Sequence, residues 1–300
     1  MHTMIALVGE QPIPNLLPVR HLKPAKTVLV YTATTEKTAQ RLAKIIPNSA
    51  GHKLATSPYE VGKILAGLTQ ATSGENGVYF NLTGGTKPMA LAAYTLAAQM
   101  GAPFIYLQSE RPPETLYLYE FAQGQPVLKS AEPLPPLINA DDYLRAHLPG
   151  YRAVGCSRDE NGEITDGGLF EQAIYDALKR EDDLEVLAGV RPEGVADQIE
   201  IDLVVRCGNR VGVAEVKLGD KGGQKPKQGL DQLATAGGRE YLGTYTAKFL
   251  IVARRQTRGI HALADARQIK VIELPGYRDG KLPSEERQRL VQAIRDRLCR

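Results

Sequence analysis

The chain has 300 residues, room for two domains of ordinary size. Apolar residues make up 43% and charged residues 24%, the balance of a folded chain and not of a disordered one. Lys and Arg number 37 against 34 Asp and Glu, so the net charge of +3 excludes a polyelectrolyte, and any nucleic-acid site has to be a local patch.

The first half alternates strands and helices. TMIALVG (3–9) and TVLVYTA (27–33) read as strands, and TEKTAQRLAKII (35–46) as a helix. SPYEVGKILAGLTQA (57–71) is a second helix, with Pro58 at its start, where a missing N–H does no harm. GVYFNL (77–82) shows little polar alternation, as expected of a parallel strand buried on both faces. The Ala-rich helix 86–100 and the strand 103–108 follow, then a hairpin of 115–121 with 125–130. Strands alternating with helices predict a parallel α/β sheet of Rossmann type. AEPLPPL (131–137) carries three prolines in seven residues and is the expected domain boundary.

Residues 138–166 hold a short helix, DDYLRAHL, and a polar loop, SRDENGEITDGG. The second domain then reads helix 168–180, strands 184–190, 198–207 and 210–217, helix 228–241, strand 247–253, helix 260–266, strand 269–274 and helix 284–298. No run of about 18 apolar residues occurs, and MHTMIALVGEQ lacks the charged start and long apolar core of a signal peptide. No membrane segment and a cytoplasmic location are therefore expected. Cys156, Cys207 and Cys299 lie far apart without zinc spacing and read as reduced structural thiols.

The chemistry concentrates in IEIDLVVRCGNRVGVAEVK (199–217). Gly208-Asn209 between two β-rich runs signals a two-residue hairpin turn. Such a turn pairs Cys207 with Arg210 and, carried back along the strands, sets Asp202 opposite Glu215. Lys217 lies two residues on and shares the face of Glu215. An alternating ExK on an exposed strand also fits a solvated ion pair. Here Asp202 sits among Ile201, Leu203, Val204 and Val205, while Ala214, Val216 and Leu218 flank the other two charges, so the strands read as buried. Facing carboxylates in a buried sheet repel unless a cation sits between them. Hard carboxylate oxygens suit Mg²⁺ or Mn²⁺. A metal there would hold a phosphodiester and acidify a water, with Lys217 orienting the nucleophile or offsetting transition-state charge.

Asp202 followed by Glu215-Val216-Lys217 resembles the D…ExK signature of PD-(D/E)XK nucleases. That resemblance implies a restriction-endonuclease-like fold with Asp202 and Glu215 as metal ligands and Lys217 as the catalytic lysine. The family adds an acid from the preceding helix, for which GGLFEQAIYDAL offers Glu171. It also adds a polar residue on the helix after the lysine, for which QGLDQLA offers Gln232, with Gln228 one turn earlier. Glu171 also fits an ordinary surface glutamate. Lys221, Lys225 and Lys227 in the glycine-rich loop, with Arg254, Arg255 and Arg258 after a later strand, form basic surface that would contact phosphates in a salt-sensitive way. No aromatic residue interleaves in the lysine loop, so little base readout is expected.

In an open parallel sheet, ligands bind beyond the carboxyl ends of the strands. Three such ends stand out: GEQPIPN (9–15), Thr32-Ala33-Thr34-Thr35-Glu36-Lys37, and LTGGTKPMALAAY. Gly84-Gly85 lets backbone approach closely, Thr83 and Thr86 supply hydroxyls, and Lys87 opens a helix whose N-terminus favours an anion. The spacing fits neither a Walker A loop nor GxGxxG, so neither ATP hydrolysis nor NAD binding is expected. A tight turn capping a helix would also explain the glycines and Thr86, and Thr34 or Thr35 would equally serve as an N-cap.

A Rossmann-like domain with an LTGGTKPM loop resembles the CARF domains, the CRISPR-associated Rossmann-fold sensors of cyclic oligoadenylates. CARF in front of a PD-(D/E)XK domain is similar to the accessory nucleases of type III CRISPR systems. The resemblance implies a homodimer binding one cyclic oligoadenylate, cyclic tetra-adenylate being the frequent ligand, and a nuclease that then cuts DNA or RNA. It makes Gln11, Thr34, Lys37, Thr83, Gly84, Gly85, Thr86 and Lys87 the ligand candidates. The expected organisation is a sensor over 1–135, a linker over 136–166, shorter than in larger relatives, and a nuclease over 167–300. The strand-rich 198–217 argues against the winged-helix reader of other CARF proteins. The alternative is a non-catalytic cyclic-oligoadenylate-binding regulator or adaptor. A sensor that degrades its own ligand lacks an evident general base near LTGGTK.

Overall fold

The computed structural model describes residues 2–109, 112–194, 199–219, 224–238 and 241–299. The chain forms two compact units, residues 1–138 and 139–300.

The first unit comprises β1 (Thr3–Leu7), α1 (Ile13–Leu22), β2 (Lys26–Tyr31), a 3₁₀ turn (Ala33–Thr35), α2 (Glu36–Ile45), β3 (Ser49–Lys53), α3 (Val61–Thr72), β4 (Val78–Asn81), α4 (Lys87–Met100), β5 (Phe104–Gln108), β6 (Thr115–Ala122) and β7 (Gln125–Pro133). The sheet runs β3-β2-β1-β4-β5-β6-β7, parallel through β5 and antiparallel from there. Every residue of β1 and β4 is buried, which is why these strands lack polar alternation. Ile5, Leu7 and Phe80 pack against Ile64 and Leu68 of α3 and Ala92, Ala93 and Leu96 of α4. Each fully buried Leu, Ile or Phe contributes about 1.5–3 kcal/mol. The chain leaves β1 for β2 on one side and returns to β4 on the other, so a topological switch point lies between β1 and β4.

The second unit comprises α5 (Ala140–His147), β8 (Gly150–Ala153), α6 (Asp166–Lys179), β9 (Leu184–Glu193), β10 (Ile201–Cys207), β11 (Arg210–Lys217), α7 (Gln224–Ala236), β12 (Ala247–Val252), α8 (Arg258–Ala266), β13 (Ile269–Glu273) and α9 (Ser284–Leu298). Its sheet runs β13-β12-β11-β10-β9-β8, antiparallel from β8 to β11 and parallel from β11 to β13. Leu203, Val205, Ala214 and Val216 face Phe170 and Ile174 of α6 and Leu290 and Ile294 of α9. The alternate residues of β10 and β11, Asp202 and Glu215 among them, take the other face.

Several expectations change. Residues 9–15 are only partly loop, because α1 starts at Ile13; its early prolines cost no hydrogen bond at the first turn, and Pro18 is buried within it. β3 is an exposed edge strand, SAGHK, without an apolar pattern to announce it. Pro58 does not open a helix, since α3 begins at Val61. The short helix expected between the domains is α5, residues 140–147, but β8 also forms there and pairs with β9. α7 is shifted to Gln224–Ala236 and stops before Gly237-Gly238. Cys207 and Cys299 are not reduced thiols but a disulfide, because the end of β10 and the end of α9 meet with Cα atoms 5.5 Å apart. Cys156 is free and half-buried. No helix among the described residues is long and apolar enough to cross a membrane.

Candidate functional site

The β10–β11 hairpin has the register its turn demands. Cys207 pairs with Arg210, and each step back holds, to Leu203 with Ala214. Asp202 and Glu215 lie one residue beyond that last pair, 7% and 2% exposed. Asp202 Oδ2 accepts the Val216 N–H at 2.7 Å. Lys217 Nζ stands 3.6 Å from Asp202 Oδ2 and forms a direct ion pair with Glu215 Oε1. Apart from that ion pair, Glu215 Oε1 has no partner among the described residues. α7 covers this face through Gly229: a Cβ there would meet Glu215 Cγ at 3.1 Å and Leu250 Cδ1 at 2.9 Å. A glycine inside a helical pattern is the one sequence signal of this close approach.

Burial pushes Asp202 up to about 6, with Lys217 opposing and the charge of Glu171 adding. Burial and the facing Asp202 push Glu215 up to about 8. Burial alone would pull the Lys217 ammonium down, but Asp202 and Glu215 outweigh it and raise its pKa. Two buried acids that resist ionising beside one cation, with one oxygen poorly satisfied, fit a divalent metal bound by hard oxygens. Protons compete with that metal for the same oxygens. Apparent Mn²⁺ affinity is therefore expected to climb between pH 6 and pH 8 and then level off. Calorimetry in buffers of different ionisation heat would read the released protons, and an affinity flat across this window would refute the pairing.

Glu171 is 5% exposed, but both its oxygens are occupied: Ser157 donates to them from its N–H and from its Oγ, each at 2.8 Å. Its helix packs on the opposite face of the sheet from Asp202 and Glu215. The three acids do not bring three ligand oxygens within 4.8 Å of one another. Asp183, Cys207 and Cys299 do cluster that tightly, but the two sulfurs are bonded to each other. Gln232 and Lys227 are exposed on α7; Lys221 and the side chain of Lys225 lie outside the described residues. Next to Lys217, at the carboxyl ends of β11, β12 and β13, lies an open concavity of about 500 Å³ lined by Leu218, Arg254, Arg255, Tyr277 and Arg278. Arg278 is held by the Pro275 and Tyr277 carbonyls, while Arg254 and Arg255 are exposed and form no ion pair among the described residues.

In the first unit the neighbouring order β2-β1-β4 sets the three candidate loops side by side at the strands' carboxyl ends. Gln11 is half-buried ahead of α1; Thr34 and Lys37 are exposed after β2. The cap after β2 is made by Thr35, whose Oγ1 accepts the Thr32 N–H, while Thr34 Oγ1 meets Thr32 Oγ1 at 2.9 Å. Thr83 to Lys87 form the turn between β4 and α4, and the Lys87 side chain is exposed. Thr83 Oγ1 accepts the Leu107 N–H at 2.8 Å, leaving its own hydrogen to donate. Thr86 is fully used: it donates to the Pro58 carbonyl at 2.8 Å and caps α4 by accepting the Met89 N–H. The amides of Gly84, Gly85 and Thr86 donate to no described residue. Successive N–H groups at a helix start, with Gly85 at φ +73°, are of the kind that can receive an anion.

Gly84 has no room for a side chain, since a Cβ would lie 2.1 Å from the Leu7 carbonyl oxygen. Gly84→Ala is expected to lower the stability of this unit by about 1–3 kcal/mol. Gly62→Ala, on α3 with nothing within 4 Å, serves as the control that meets no clash and, in a helix, does not destabilise. Equal melting temperatures for the two variants would show that the turn yields.

Residues 3–131 match the Card1 CARF domain family, so the first unit carries a Rossmann-like CARF fold within a mixed α/β chain of two sheets. Among solved structures, the chain is similar to Can2 from Sulfobacillus thermosulfidooxidans in complex with cyclic tetra-adenylate: 16% identity over 98% of this chain and 99% of that one, TM-score 0.74. Protein VC1899 from Vibrio cholerae matches at 13% identity over 99% of each chain, TM-score 0.74. A type III CRISPR defence DNA nuclease activated by cyclic oligoadenylate matches at 18% identity, TM-score 0.62, over 96% of this chain but only 51% of its own. At these identities the likeness is one of fold. No curated protein matches the chain.

Proposed function

We propose that the chain is a metal-dependent nuclease of type III CRISPR defence, switched on by a cyclic oligoadenylate bound at the CARF unit. The observation that carries the nuclease half is the buried pair Asp202 and Glu215 with Lys217 on the same face. The sensor half is supported by the free amides of Gly84, Gly85 and Thr86 beside Lys87, and by the fold shared with Can2, whose structure holds cyclic tetra-adenylate. A homodimer would bring two such sets of amides to one ring-shaped ligand.

Asp202 and Glu215 would hold Mg²⁺ or Mn²⁺. Bound there, the metal supplies Lewis acidity that lowers the pKa of a water and polarises a phosphodiester. Lys217 stays an ammonium between the two carboxylates, so it is suited to charge stabilisation and nucleophile placement and not to general-base work. Its 24% exposed side chain lets it reach a substrate. Arg254 and Arg255 would meet flanking phosphates of DNA or RNA, and Lys227 would add to the same field. Ligand binding would shift an equilibrium between inactive and active forms, by no more than its differential affinity for them. The runner-up, a non-catalytic regulator or adaptor, draws on one observation: Glu171 is tied to Ser157 and does not join the acid pair.

The deciding assay incubates plasmid and single-stranded RNA with Mn²⁺ or Mg²⁺, with and without cyclic tetra-adenylate. Cleavage requiring both metal and ligand is expected, and the strand cut names the substrate. Tight ligand binding with neither substrate cut would leave the regulator reading standing.

A further inference from the structure

Two asparagines under the sensor loops do a job that no ligand candidate does. Asn15 and Asn81 are both 0% exposed. A buried amide is tolerated only when its hydrogen bonds are made, and here they are made to each other and to the loops. Asn15 Nδ2 donates to the Leu7 carbonyl at 2.9 Å. Asn81 Nδ2 donates to the Pro14 carbonyl at 2.9 Å and to Asn15 Oδ1 at 3.0 Å. Asn81 Oδ1 accepts the Thr83 N–H at 3.1 Å. The network leaves no freedom to flip Asn81, because its nitrogen faces two acceptors and its oxygen faces a donor.

The partners are the end of β1, the entry to α1, the end of β4 and the first residue of the glycine turn. These are the segments that meet at the topological switch point. The turn rests directly on the bridge. A Cβ on Gly84 would lie 2.1 Å from Leu7 O and 3.1 Å from Asn15 Nδ2, and a Cβ on Gly9 would lie 3.0 Å from the Gly85 nitrogen. Leu7 O thus lies directly against Gly84, and the Asn15 amide donates to it.

We propose that Asn15 and Asn81 are the positioning pair of the sensor site: they lock the β1 and β4 loops together and engage the Leu7 and Pro14 carbonyls, so that the Gly84, Gly85 and Thr86 amides stay open to a phosphodiester anion. Neither side chain touches the ligand. The proposal rests on the sensor reading above. Asparagine suits the place because aspartate would lose the donors and set a negative charge beneath an anion site.

The test measures cyclic tetra-adenylate affinity by calorimetry at a temperature where circular dichroism shows the wild type, Asn15→Ala, Asn81→Ala and the double variant all folded. Asn81→Ser and Asn15→Ser replace any alanine variant that fails to fold. Each single variant is expected to lose roughly 10-fold or more in affinity, as pre-organising groups do. The double variant is expected to bind no more weakly than the weaker single, because the two act as one unit. The ligand concentration for half-maximal nuclease activation should rise while the rate at saturating ligand stays unchanged, a split that mere loss of stability does not produce. Folded variants binding within twofold of wild type would overturn the positioning role and leave the sensor reading intact. A wild type that binds neither cyclic tetra-adenylate nor cyclic hexa-adenylate would sink both.

Discussion

Replacing Glu215 by glutamine is expected to lower metal-dependent cleavage on the order of 10³-fold or more, while making the metal-free protein more stable in alkali. The two effects share one cause. Glu215 is buried against Asp202, which suits a cation and penalises a bare carboxylate. Its folded pKa of about 8 stands above the ordinary 4.5, so the folded state holds a proton that the unfolded chain has released. Stability of the metal-free protein therefore falls as pH rises from about 4.5 through about 8. Glutamine has no charge to desolvate and removes that fall. Melting curves at pH 6 and pH 9, with and without Mn²⁺, read it directly. The wild type should gain from Mn²⁺ most at pH 9, and Glu215→Gln should neither gain from the metal nor lose with pH. A variant that still cuts, or that melts in parallel with the wild type at every pH, would place the chemistry elsewhere. Such opposition between stability and activity is what a preorganised charged site predicts.

Reducing the Cys207–Cys299 bridge is expected to destabilise the second unit by about 2–5 kcal/mol. The bond closes a loop of 92 residues that spans β10 to the end of α9. Chain-entropy models give such long loops the larger stabilisations, because an unfolded chain so tethered has far fewer arrangements to lose. α9 depends on this anchor together with Leu290, Ile294 and Leu298 in the core and Arg295 paired to Glu181 and Asp183. Urea denaturation followed on this unit, with and without reductant, should separate by that amount, and Cys299→Ser should behave as the reduced wild type under both conditions. Identical curves would show that apolar packing alone holds the helix.

Much of the architecture was legible along the chain, for local reasons. Apolar runs bounded by Gly, Pro and Asn marked β1, β2, β4 and β10 to β12, because parallel and central strands bury both faces. Gly208-Asn209 announced its turn, and a two-residue turn sets the register of everything it joins, so the pairing from Cys207 with Arg210 back to Leu203 with Ala214 followed from arithmetic along two strands. Likewise Gly84-Gly85 before Thr86 marked the turn and the cap of α4, since Gly85 takes a positive φ and the Thr86 hydroxyl accepts the Met89 N–H.

What stayed hidden depends on segments distant in sequence. β3 and β8 have no apolar period because they lie at sheet edges, where pairing and not burial makes the strand. Cys207 and Cys299 carry no spacing rule, and only the packing of α9 on the sheet brings them together. Glu171 sits on a plausible helix, yet whether its oxygens reach a metal is decided by which sheet face the helix covers and by Ser157, which holds both. Asn15 and Asn81 look like ordinary turn and strand-end residues until β1 and β4 lie side by side. Periodicity and turn chemistry are properties of neighbours along the chain, so one strand of letters records them. A buried hydrogen bond, a disulfide or a blocked carboxylate is a property of neighbours in space, and the fold alone chooses those.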